Sequence, residues 1–326
     1  MRLVIDLQAC QSSGNRIRGI GRYSLALAQA MVRNAGNHEC VIALNAAIAD
    51  SVEPMRAAFT ELLPADRIRS WASVAKIAEA FHGGAPRSQA AGELFRQAMR
   101  EFRPDFVHIT SVFEGSDSDV TNVVGSSAEG LPTAVTLYDL IPLAQSDVYL
   151  AQPAVRDWYM RRLEQLKRAE LLLAISAFTK GEGVDLLGIE ADRIVNIRGA
   201  CDDVFQPVSL TDERRLALYG RYGIHRPYLM YAGGFDSRKN ILSLIRAYAA
   251  LPQAVRDSHQ LLIVGSPPAM ERKQIEALRS QLGLREDQCV LLGYVSDRDL
   301  AALYSDCRLY AFPSLQEGFG LPALEA

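Results

Sequence analysis

The sequence predicts an α/β protein with two doubly wound, Rossmann-like domains, each a mostly parallel sheet covered by helices on both faces. Two observations predict this class. Short β-rich runs alternate with helical stretches along the chain, and the alternation restarts in its second half. A length of 326 residues also suits two domains, at ~150 residues per domain. We place the domains at residues 1–205 and 206–326.

The first half contains five strand candidates that end in polar or turn residues. They are RLVIDL (2–7), VIAL (41–44), DFVHIT (105–110), TAVTLYD (133–139) and LLLAIS (171–176). A glycine-bearing loop, SSGNRIRGIGRYS, follows the first strand candidate and leads into the helical stretch YSLALAQAMVRN. Apolar residues in that stretch recur at helical spacing, which predicts a helix packed on the sheet.

The second half repeats the alternation of strand and helix candidates. The strand candidates are IVNIRG (194–199), YLMYAGG (228–234), QLLIVGS (260–266), CVLLGYV (289–295) and LYAFPS (309–314). Helical stretches, such as ERKQIEALRSQLG and DRDLAALYSDC, separate them, whereas the segment CDDVFQPVSLTDERR suggests an irregular connection. In such sheets, ligands bind beyond the carboxyl ends of the strands, so the loops there are the place to search for function.

Composition excludes several classes of protein. The chain is 49% hydrophobic and 22% charged, and it has no run of ~18 apolar residues, so we expect no membrane-spanning helix. Its N-terminus resembles no signal peptide, and we expect a cytoplasmic protein. Five cysteines without a CxxC pattern, and five scattered histidines, support neither disulfides nor a metal site. A net charge of −3 does not suggest a nucleic-acid partner.

The segment LQEGFGLPALEA (315–326) places two carboxylates, Glu317 and Glu325, on either side of a glycine-rich turn. It follows the strand candidate LYAFPS, and Pro322 suits the first position of a helix because its missing N–H is not needed there. The pattern predicts a strand, a turn that carries Glu317, and a helix that carries Glu325. An ionised carboxylate in the first turn of that helix can accept two hydrogen bonds from a ribose diol.

The turn itself is suited to binding a ligand rich in oxygen atoms. Gly318 and Gly320 allow the backbone to approach a ligand closely. The backbone N–H groups of Phe319, Gly320 and Leu321 are expected to point out of the helix start, where anionic groups bind well. The alternative interpretation is a surface turn with two solvated glutamates.

A second candidate turn, GGFDSRKN (233–240), lies between a strand candidate and a helix candidate. Gly233 and Gly234 permit a tight turn, and Arg238 and Lys239 place two cations beside the start of the next helix. Two cations at this position suit a diphosphate and can stabilise it as a leaving group. The alternative is a solvated basic turn.

These motifs resemble those of the retaining glycosyltransferase family 4, which has the two-domain GT-B fold. EGFGLPALEA resembles the E-x7-E signature of the family. The resemblance extends over nearly the whole chain through RGIGRYS, YDLIPL, AISAFT, YAGGFDSRKN and LLGYVSD. The chain is most similar to bacterial transferases of O-antigen, capsule or exopolysaccharide assembly, several of which use GDP-mannose.

The resemblance implies a donor site in the second domain and an acceptor site in the first. It implies that Arg238 and Lys239 contact the diphosphate and that Glu317 faces the transferred sugar. Tyr294 and Val295 are expected beside the nucleotide base, with core packing as the alternative. The complete set of expected donor-binding residues is Gly19, Gly21, Gly234, Arg238, Lys239, Tyr294, Val295, Glu317, Gly318, Phe319, Gly320, Leu321 and Glu325.

The implied reaction is transfer of a hexosyl group, mannosyl favoured, with retention of configuration. The donor is a nucleotide diphosphate sugar, GDP-mannose favoured. The acceptor is a glycan or a polyprenyl-diphosphate-linked oligosaccharide of bacterial surface polysaccharide synthesis. No metal and no further cofactor is expected.

The loop RGIGRYS is expected near the donor phosphates and the acceptor. Gly19 and Gly21 form a GxG pattern, not the GxGxxG of nicotinamide-binding proteins. Arg18 and Arg22 are candidate phosphate or acceptor contacts, with helix capping or solvent exposure as the alternative.

Tyr138 and Asp139, in YDLIPL, complete the catalytic candidates Glu317, Arg238 and Lys239. Many family members have His-Asp at this position. Tyrosine can hydrogen-bond to a sugar, but it does not titrate near neutral pH. Asp139 either contacts the acceptor or positions a loop.

The first domain contains two further acidic features. Asp117 and Asp119 form a D-x-D pattern, which binds metal in the GT-A fold, but they lie in a loop of the first domain, away from the expected donor half. Glu114, which follows a strand candidate, is an acceptor-side candidate.

The basic stretch RDWYMRRLEQLKR (156–168) has two interpretations. Val155, Tyr159, Leu163 and Leu166 form an apolar stripe, which indicates an amphipathic helix packed on the sheet. The alternative is a basic face beside anionic lipid or a lipid-diphosphate acceptor, with the protein peripheral at the inner face of the membrane.

Other functions remain compatible with the sequence. A nucleotide-sugar epimerase or a phosphorolytic enzyme could share the fold, and so could a non-catalytic glycan-assembly subunit. Family members continue beyond the helix that starts at Pro322, so we expect the second domain to be incomplete in this chain.

Overall fold

The computed structural model describes residues 1–14, 16, 19–82 and 85–326. The chain folds into two compact units, Met1–Arg198 and Gly199–Ala326. The sequence prediction placed the division slightly later, between residues 205 and 206. Each unit has its own sheet and its own hydrophobic core.

The first unit is built on a parallel sheet. Its strands are β1 (Arg2–Asp6), β2 (Glu39–Asn45), β3 (Ile68–Trp71), β4 (Phe106–Ile109), β5 (Thr133–Leu137), β6 (Leu171–Ala174) and β7 (Ile194–Asn196). Over the described residues they form one seven-stranded sheet in the order β3-β2-β1-β4-β5-β6-β7. The strand order reverses between β1 and β4, and in open α/β sheets such a reversal marks a ligand-binding edge.

Helices cover both faces of this sheet. They are α1 (Gln8–Gln11), α2 (Gly19–Arg33), α3 (Ala49–Phe59), α4 (Glu79–His82), α5 (Pro86–Glu101), α6 (Ile141–Ala144), α7 (Ser146–Tyr149), α8 (Pro153–Leu166) and α9 (Ala177–Leu187). Short 3-10 turns occur at Ala65–Arg67, Ser127–Glu129 and Ala191–Arg193. Successive strand residues point to opposite faces, so Val4 packs in one hydrophobic cluster and Ile5 in the other.

The second unit repeats this construction on a smaller scale. Its strands are β8 (Tyr228–Ala232), β9 (Gln260–Val264), β10 (Cys289–Gly293) and β11 (Leu309–Tyr310), in the order β10-β9-β8-β11. Its helices are α10 (Asp212–Tyr222), α11 (Ile241–Ala249), α12 (Gln253–Ser258), α13 (Ala269–Gln281), α14 (Asp297–Asp306) and α15 (Leu321–Glu325). Met230 and Tyr231 again point into separate clusters on the two faces of the sheet.

The predicted class is confirmed, and every strand candidate overlaps an observed strand. The strand β3 was not predicted, and neither were several helices, among them α3 and α9. The segment CDDVFQPVSLTDERR is only partly irregular, because its last residues begin α10. Thr211 caps this helix by accepting a hydrogen bond from the N–H of Arg214.

Within the described ranges, none of the helices combines the length and the apolar character that a membrane crossing requires.

Candidate functional site

The second unit brings together the charged side chains of Arg238, Lys239 and Glu317. The two cations lie in the 3-10 turn Ser237–Lys239 after β8, and Glu317 lies in the loop after β11. Since β8 and β11 are parallel neighbours, the loops at their carboxyl ends are adjacent. Glu317 Oε2 is 2.8 Å from Arg238 Nη1, and Glu317 Oε1 is 2.6 Å from Lys239 Nζ. We call these three residues the charged cluster.

Hydrogen bonds to the backbone hold the two loops of the charged cluster together. The Leu315 N–H donates to the carbonyl of Arg238 over 2.8 Å. The guanidinium of Arg238 donates to the carbonyl of Gln316 over 2.9 Å. Asn240, in the left-handed conformation with a φ of 58°, donates from its side-chain amide to the carbonyl of Pro313 over 3.2 Å. These hydrogen bonds join the two loops and so fix the positions of the two cations and the carboxylate.

Asp236 belongs to the same neighbourhood and was not among the predicted site residues. Its carboxylate accepts from the backbone N–H of Arg238 over 3.2 Å, which caps the 3-10 turn, and lies 3.5 Å from Arg238 Nε. Two cations thus face two carboxylates, Asp236 and Glu317. The sequence signal was available, because an aspartate directly before the start of a helical turn is a common capping residue.

Burial and pairing set the protonation of the charged cluster. The side chains are 20% exposed for Arg238, 13% for Lys239 and 16% for Glu317. Burial lowers the pKa of Lys239, an effect that Glu317 partly offsets. For Glu317, burial acts to raise the pKa, but the hydrogen bond from Lys239 and the two positive charges hold the pKa below its ordinary value. The carboxylate is therefore ionised at neutral pH.

The glycine-rich turn after Glu317 leads directly into α15. Gly320 adopts a φ of 92°, a conformation that side chains disfavour, and it flanks the first helical residue, Leu321. Pro322 is thus the second residue of the helix, one position later than predicted. Gly318 is buried and Phe319 is half-buried beside it.

The remaining donor-site candidates of the second unit occupy different environments. Glu325, in α15, accepts a long hydrogen bond of 3.4 Å from the hydroxyl of Tyr304. The carbonyl of Gly234 accepts from the hydroxyl of Tyr231 over 2.6 Å. Tyr294 is 80% exposed, whereas the side chain of Val295 is buried in the hydrophobic core of the second unit, as the core-packing alternative for Val295 requires.

In the first unit, Tyr138 lies directly after β5 and bonds to a residue that was not predicted. Its hydroxyl is 2.6 Å from the hydroxyl of Ser24, a fully buried residue of α2. Burial raises the pKa of Tyr138 well above its ordinary value, so the phenol stays protonated at neutral pH. The sequence stretch RGIGRYS contains Ser24, but nothing in the pattern distinguishes this serine from a solvated one.

Asp139 and the residues after it are held by local hydrogen bonds. The Asp139 carboxylate accepts from the backbone N–H of Ile141 over 3.2 Å, close to the start of α6. The carboxylate of Glu182, in α9, accepts from the N–H of Leu140 over 3.1 Å. These contacts support the loop-positioning alternative for Asp139.

A buried polar network lies under the loops after β1, β2 and β4, and it was not predicted. The side-chain amide of Gln8 donates to Asp6 Oδ1 over 3.1 Å and to the carbonyl of Thr121 over 2.6 Å. Its carbonyl oxygen accepts from the amide of Asn45 over 2.8 Å. Burial raises the pKa of Asp6 to about 7. The network ties the ends of β1 and β2 to the loop after β4, at the edge where a ligand is expected.

The other candidates of the first unit lie near the same edge or outside the described residues. Glu114 is 3% exposed, and its charge adds to the effect of burial in raising the pKa of Tyr138. Gly19 and Gly21 open α2, and Arg22 is exposed on it. Arg18 lies outside the described residues.

Asp119 has a structural contact in the D-x-D loop. Its carboxylate accepts from the N–H of Ile77 over 2.8 Å, and its carbonyl accepts from the side-chain amide of Asn45 over 3.2 Å. These bonds connect the loops that follow β2, β3 and β4. In the parts of the chain that the structure covers, no group of three His, Cys, Asp or Glu residues could hold a metal ion.

The basic stretch 156–168 forms most of α8, and one of its cations is buried. Arg162 is 1% exposed, forms an ion pair with Glu79 and donates to the carbonyl of Asn122 over 2.8 Å. Assigning it to an exposed basic face was therefore wrong, because the buried side of α8 includes this cation and its partners. Arg161 and Arg168 are exposed.

The structure thus brings Arg238, Lys239 and Glu317 into direct contact within the second unit. Within the first unit, it places Tyr138 and Asp139 at the carboxyl edge of the sheet, in a loop that α9 contacts through hydrogen bonds. It also joins Tyr138 to α2.

Curated relatives of the chain include two mannosyltransferases of Escherichia coli. The serotype-specific mannosyltransferase WbdA of Escherichia coli is 33% identical over 332 residues, which cover 100% of this chain and 39% of that protein. The O-antigen chain mannosyltransferase B of Escherichia coli is 35% identical over 197 residues, which cover 60% of this chain and 51% of that protein. The chain thus spans well under two thirds of the length of these relatives.

Solved structures share the fold at low sequence identity. Anabaena HepE, in complex with UDP and glucose, matches with a TM-score of 0.64 and 17% identity over 100% of this chain and 78% of that chain. WaaG, a glycosyltransferase involved in lipopolysaccharide biosynthesis, matches with a TM-score of 0.65 and 15% identity over the same shares. The chain accordingly has the GT-B fold.

Two family models match, one in each half of the chain. The model for glycosyl transferases group 1 matches residues 223–326, the part that contains the charged cluster. The model for glycosyltransferase family 4 matches residues 17–203, the part that contains Tyr138 and Ser24. Because this second model covers more than half of the chain, the chain belongs to glycosyltransferase family 4.

Proposed function

We propose that this chain transfers a mannosyl group from GDP-mannose to a glycan acceptor in the synthesis of a bacterial surface polysaccharide. The observation that carries the proposal is the charged cluster at the carboxyl edge of the second sheet. It combines two fixed cations with an ionised carboxylate, and those are the groups that a reacting nucleotide sugar needs at its diphosphate and at its sugar.

The charged cluster suits cleavage of the bond between the sugar and the diphosphate. When the bond from the anomeric carbon to the phosphate oxygen breaks, the electron pair stays on the diphosphate. Arg238 and Lys239 are placed to stabilise the charge that develops there. Glu317, between them, orients the sugar and stabilises positive charge at the anomeric carbon. Because two cations are built into the protein, we propose that transfer requires no metal ion.

The carboxyl edge of the first sheet supplies the acceptor side in this proposal. Tyr138 and Asp139 lie there, on loops fixed by α9. The proposed acceptor is a glycan, in its polyprenyl-diphosphate-linked form. The exposed cations Arg161, in α8, and Arg168, just after it, support peripheral contact with an anionic membrane surface, together with the exposed apolar residues Val148 and Met160.

The identity of the donor and the stereochemistry rest on relatives. Mannose is supported by the similarity to WbdA and to O-antigen chain mannosyltransferase B. Retention of configuration is proposed from membership of family 4. The HepE structure contains UDP and glucose, which makes UDP-glucose the natural comparison donor.

The test is a thermal-shift screen of nucleotide sugars followed by product analysis with the preferred donor in labelled form. We expect GDP-mannose to raise the melting temperature more than UDP-glucose, because a ligand of the folded state stabilises it. With a glycan acceptor, the label should move to the glycan, and the anomeric configuration of the sugar should be unchanged. Transfer should also continue when EDTA removes divalent metal ions.

Each rival function predicts a different product. An epimerase would change the labelled sugar nucleotide without acceptor, and a phosphorolytic enzyme would require inorganic phosphate. A glycan-assembly subunit without activity would leave the label on the nucleotide. Any of these results would replace the proposed function.

A further inference from the structure

Ser24 and Tyr138 connect two parts of the first unit that are distant in sequence. Ser24 lies in α2, near its start, and is fully buried. Tyr138 lies directly after β5, and the two hydroxyl oxygens are 2.6 Å apart. This is a short hydrogen bond between neutral groups, in which either hydroxyl can be the donor.

Tyr138 is held from two further directions. The ring of Tyr23 packs edge-on against its ring, with the centroids 5.7 Å apart. The hydroxyl of Thr179, in the first turn of α9, donates to the backbone carbonyl of Tyr138 over 3.0 Å. Thr179 itself is tied to Ser176, the residue that caps α9. The phenol therefore projects from a fixed backbone position.

The thiol of Cys10, in α1, also contacts the first turn of α2. It donates to the carbonyl of Gly21 over 3.5 Å. A thiol is a weak donor. The hydroxyl pair of Ser24 and Tyr138 is thus the stronger of these two hydrogen bonds to the start of α2.

We propose that Ser24 is a positioning residue, whose hydrogen bond with Tyr138 fixes the N-terminal part of α2 against the end of β5. In this view the phenol is used to hold residues 19–24 in place rather than to act on the sugar. The expected effect on transfer kinetics rests on the proposed function, because Gly19, Gly21 and Arg22 of the first turn of α2 are expected near the substrates. The expected effect on the stability of the turn is independent of the proposed function.

The kinetic test compares Ser24→Ala, Tyr138→Phe and the double variant in the transfer assay with labelled GDP-mannose. We expect each single variant to lower kcat/KM by about five- to tenfold, mainly through KM, since each loses the same hydrogen bond. The double variant should be no worse than either single variant. The pH profile of kcat should keep the wild-type shape, because neither hydroxyl titrates near neutral pH.

A matched control is Ser88→Ala, which removes another serine hydroxyl bonded to a backbone carbonyl in the same unit. It should keep wild-type kinetics. If Ser24→Ala also keeps wild-type kinetics while Tyr138→Phe loses activity, the phenol acts on the substrate directly and the proposal is wrong. A double variant whose loss equals the product of the two single losses would overturn it as well.

The structural test uses amide hydrogen exchange and needs no substrate. The amides of residues 21–24 should exchange at least threefold faster in both single variants than in wild type and in Ser88→Ala, because the turn opens more often. Unchanged exchange in both variants overturns the proposal. If wild type transfers no sugar from any donor, the proposed function fails, while the exchange result still decides the role of Ser24. If one single variant fails to fold, the exchange result of the other decides.

Discussion

The candidate sites of the two units use opposite kinds of chemistry. In the second unit, the charged cluster joins two cations to one carboxylate with side-chain exposures of 13–20%. In the first unit, the half-buried Tyr138 and the fully buried Ser24 meet through neutral hydroxyls. Charged contacts suit a charged ligand, whereas a bond between two neutral side chains connects parts of the protein itself. Salt should therefore weaken the first kind of interaction and leave the second unchanged.

The largest effect should come from removing one charge of the charged cluster. We expect Lys239→Ala and Glu317→Ala each to lower the transfer rate by at least ~10-fold, as the loss of a contact with transition-state charge usually does. Steady-state kinetics with labelled GDP-mannose measures this. Lys273→Ala, an exposed lysine of the same unit, is the control and should retain the wild-type rate. If both variants kept the wild-type rate, the charged cluster would have no role in transfer, and its proposed difference from the hydroxyl pair of the first unit would be wrong.

A separate effect, on stability and not on catalysis, concerns Asp6, a buried carboxyl of the first unit. Burial raises the pKa of Asp6 to about 7, so the folded protein favours the protonated form. This stability contribution is present below about pH 4 and is lost as the pH rises through about 7. We expect Asp6→Asn to remove a decline in unfolding free energy on the order of 4 kcal/mol over this range.

Urea denaturation at a series of pH values measures the effect of Asp6. Asp66→Asn, which changes an exposed carboxylate of the same unit, should leave the wild-type slope in place. An equal slope in wild type and Asp6→Asn would show that Asp6 is ionised in the folded protein, like Glu317. Both units would then have an ionised carboxylate at neutral pH, at Asp6 and at Glu317.

A smaller effect separates the two roles of Glu317. Its carboxylate is bonded to both cations, so it competes with a diphosphate for them. We expect Glu317→Gln to bind GDP without sugar roughly fivefold more tightly, about 1 kcal/mol, while transfer falls. Calorimetry at two salt concentrations measures this, and the gain should shrink at high salt.

The control for Glu317→Gln is Glu213→Gln, which changes an exposed glutamate of α10. It should not alter GDP binding. Weaker GDP binding by Glu317→Gln would mean that the carboxylate holds the cations in a binding geometry rather than competing for them. Glu317 would then be a positioning residue, as we propose for Ser24.

The smallest effect is expected at the hydrogen bond between Tyr304 and Glu325. Its length of 3.4 Å indicates a weak bond. Tyr304→Phe should therefore lower the unfolding free energy by no more than ~0.5 kcal/mol, measured by urea denaturation. A loss above ~2 kcal/mol would show that the hydroxyl has further buried partners.

Much of the fold was predictable because the buried strands are continuous apolar runs. QLLIVGS and RLVIDL, for instance, contain β9 and β1. The exceptions have local causes. In β3 only Ile68 and Trp71 are buried, so the run IRSW shows no strand-like pattern. Helix α3 contains Pro54, and α9 contains two glycines, one of which, Gly183, lets the helix approach Ile194 closely.

The candidate site was predictable where it depends on sequence-local turns and not where it depends on long-range contacts. Arg238, Lys239 and Glu317 stand in recognisable strand-to-helix turns, and their contact follows once β8 and β11 are neighbours. The bond of Ser24 to Tyr138 joins residues 114 positions apart, and no local pattern indicates it. The same is true of Gln8 and Asn45 in the buried polar network.

The place of β1 in the sheet has a consequence for biosynthesis. Among the strands of its sheet β1 is made first, yet it lies in the interior of the sheet, between β2 and β4. The N–H of Arg2 bonds to the carboxylate of Asp105, 103 residues further along the chain. On the ribosome, β1 can pair with β2 early, but its other edge stays open until β4 has emerged. An open strand edge is a template for wrong pairing, so the nascent chain most needs a chaperone in the interval between the synthesis of Asn45 and that of Ile109.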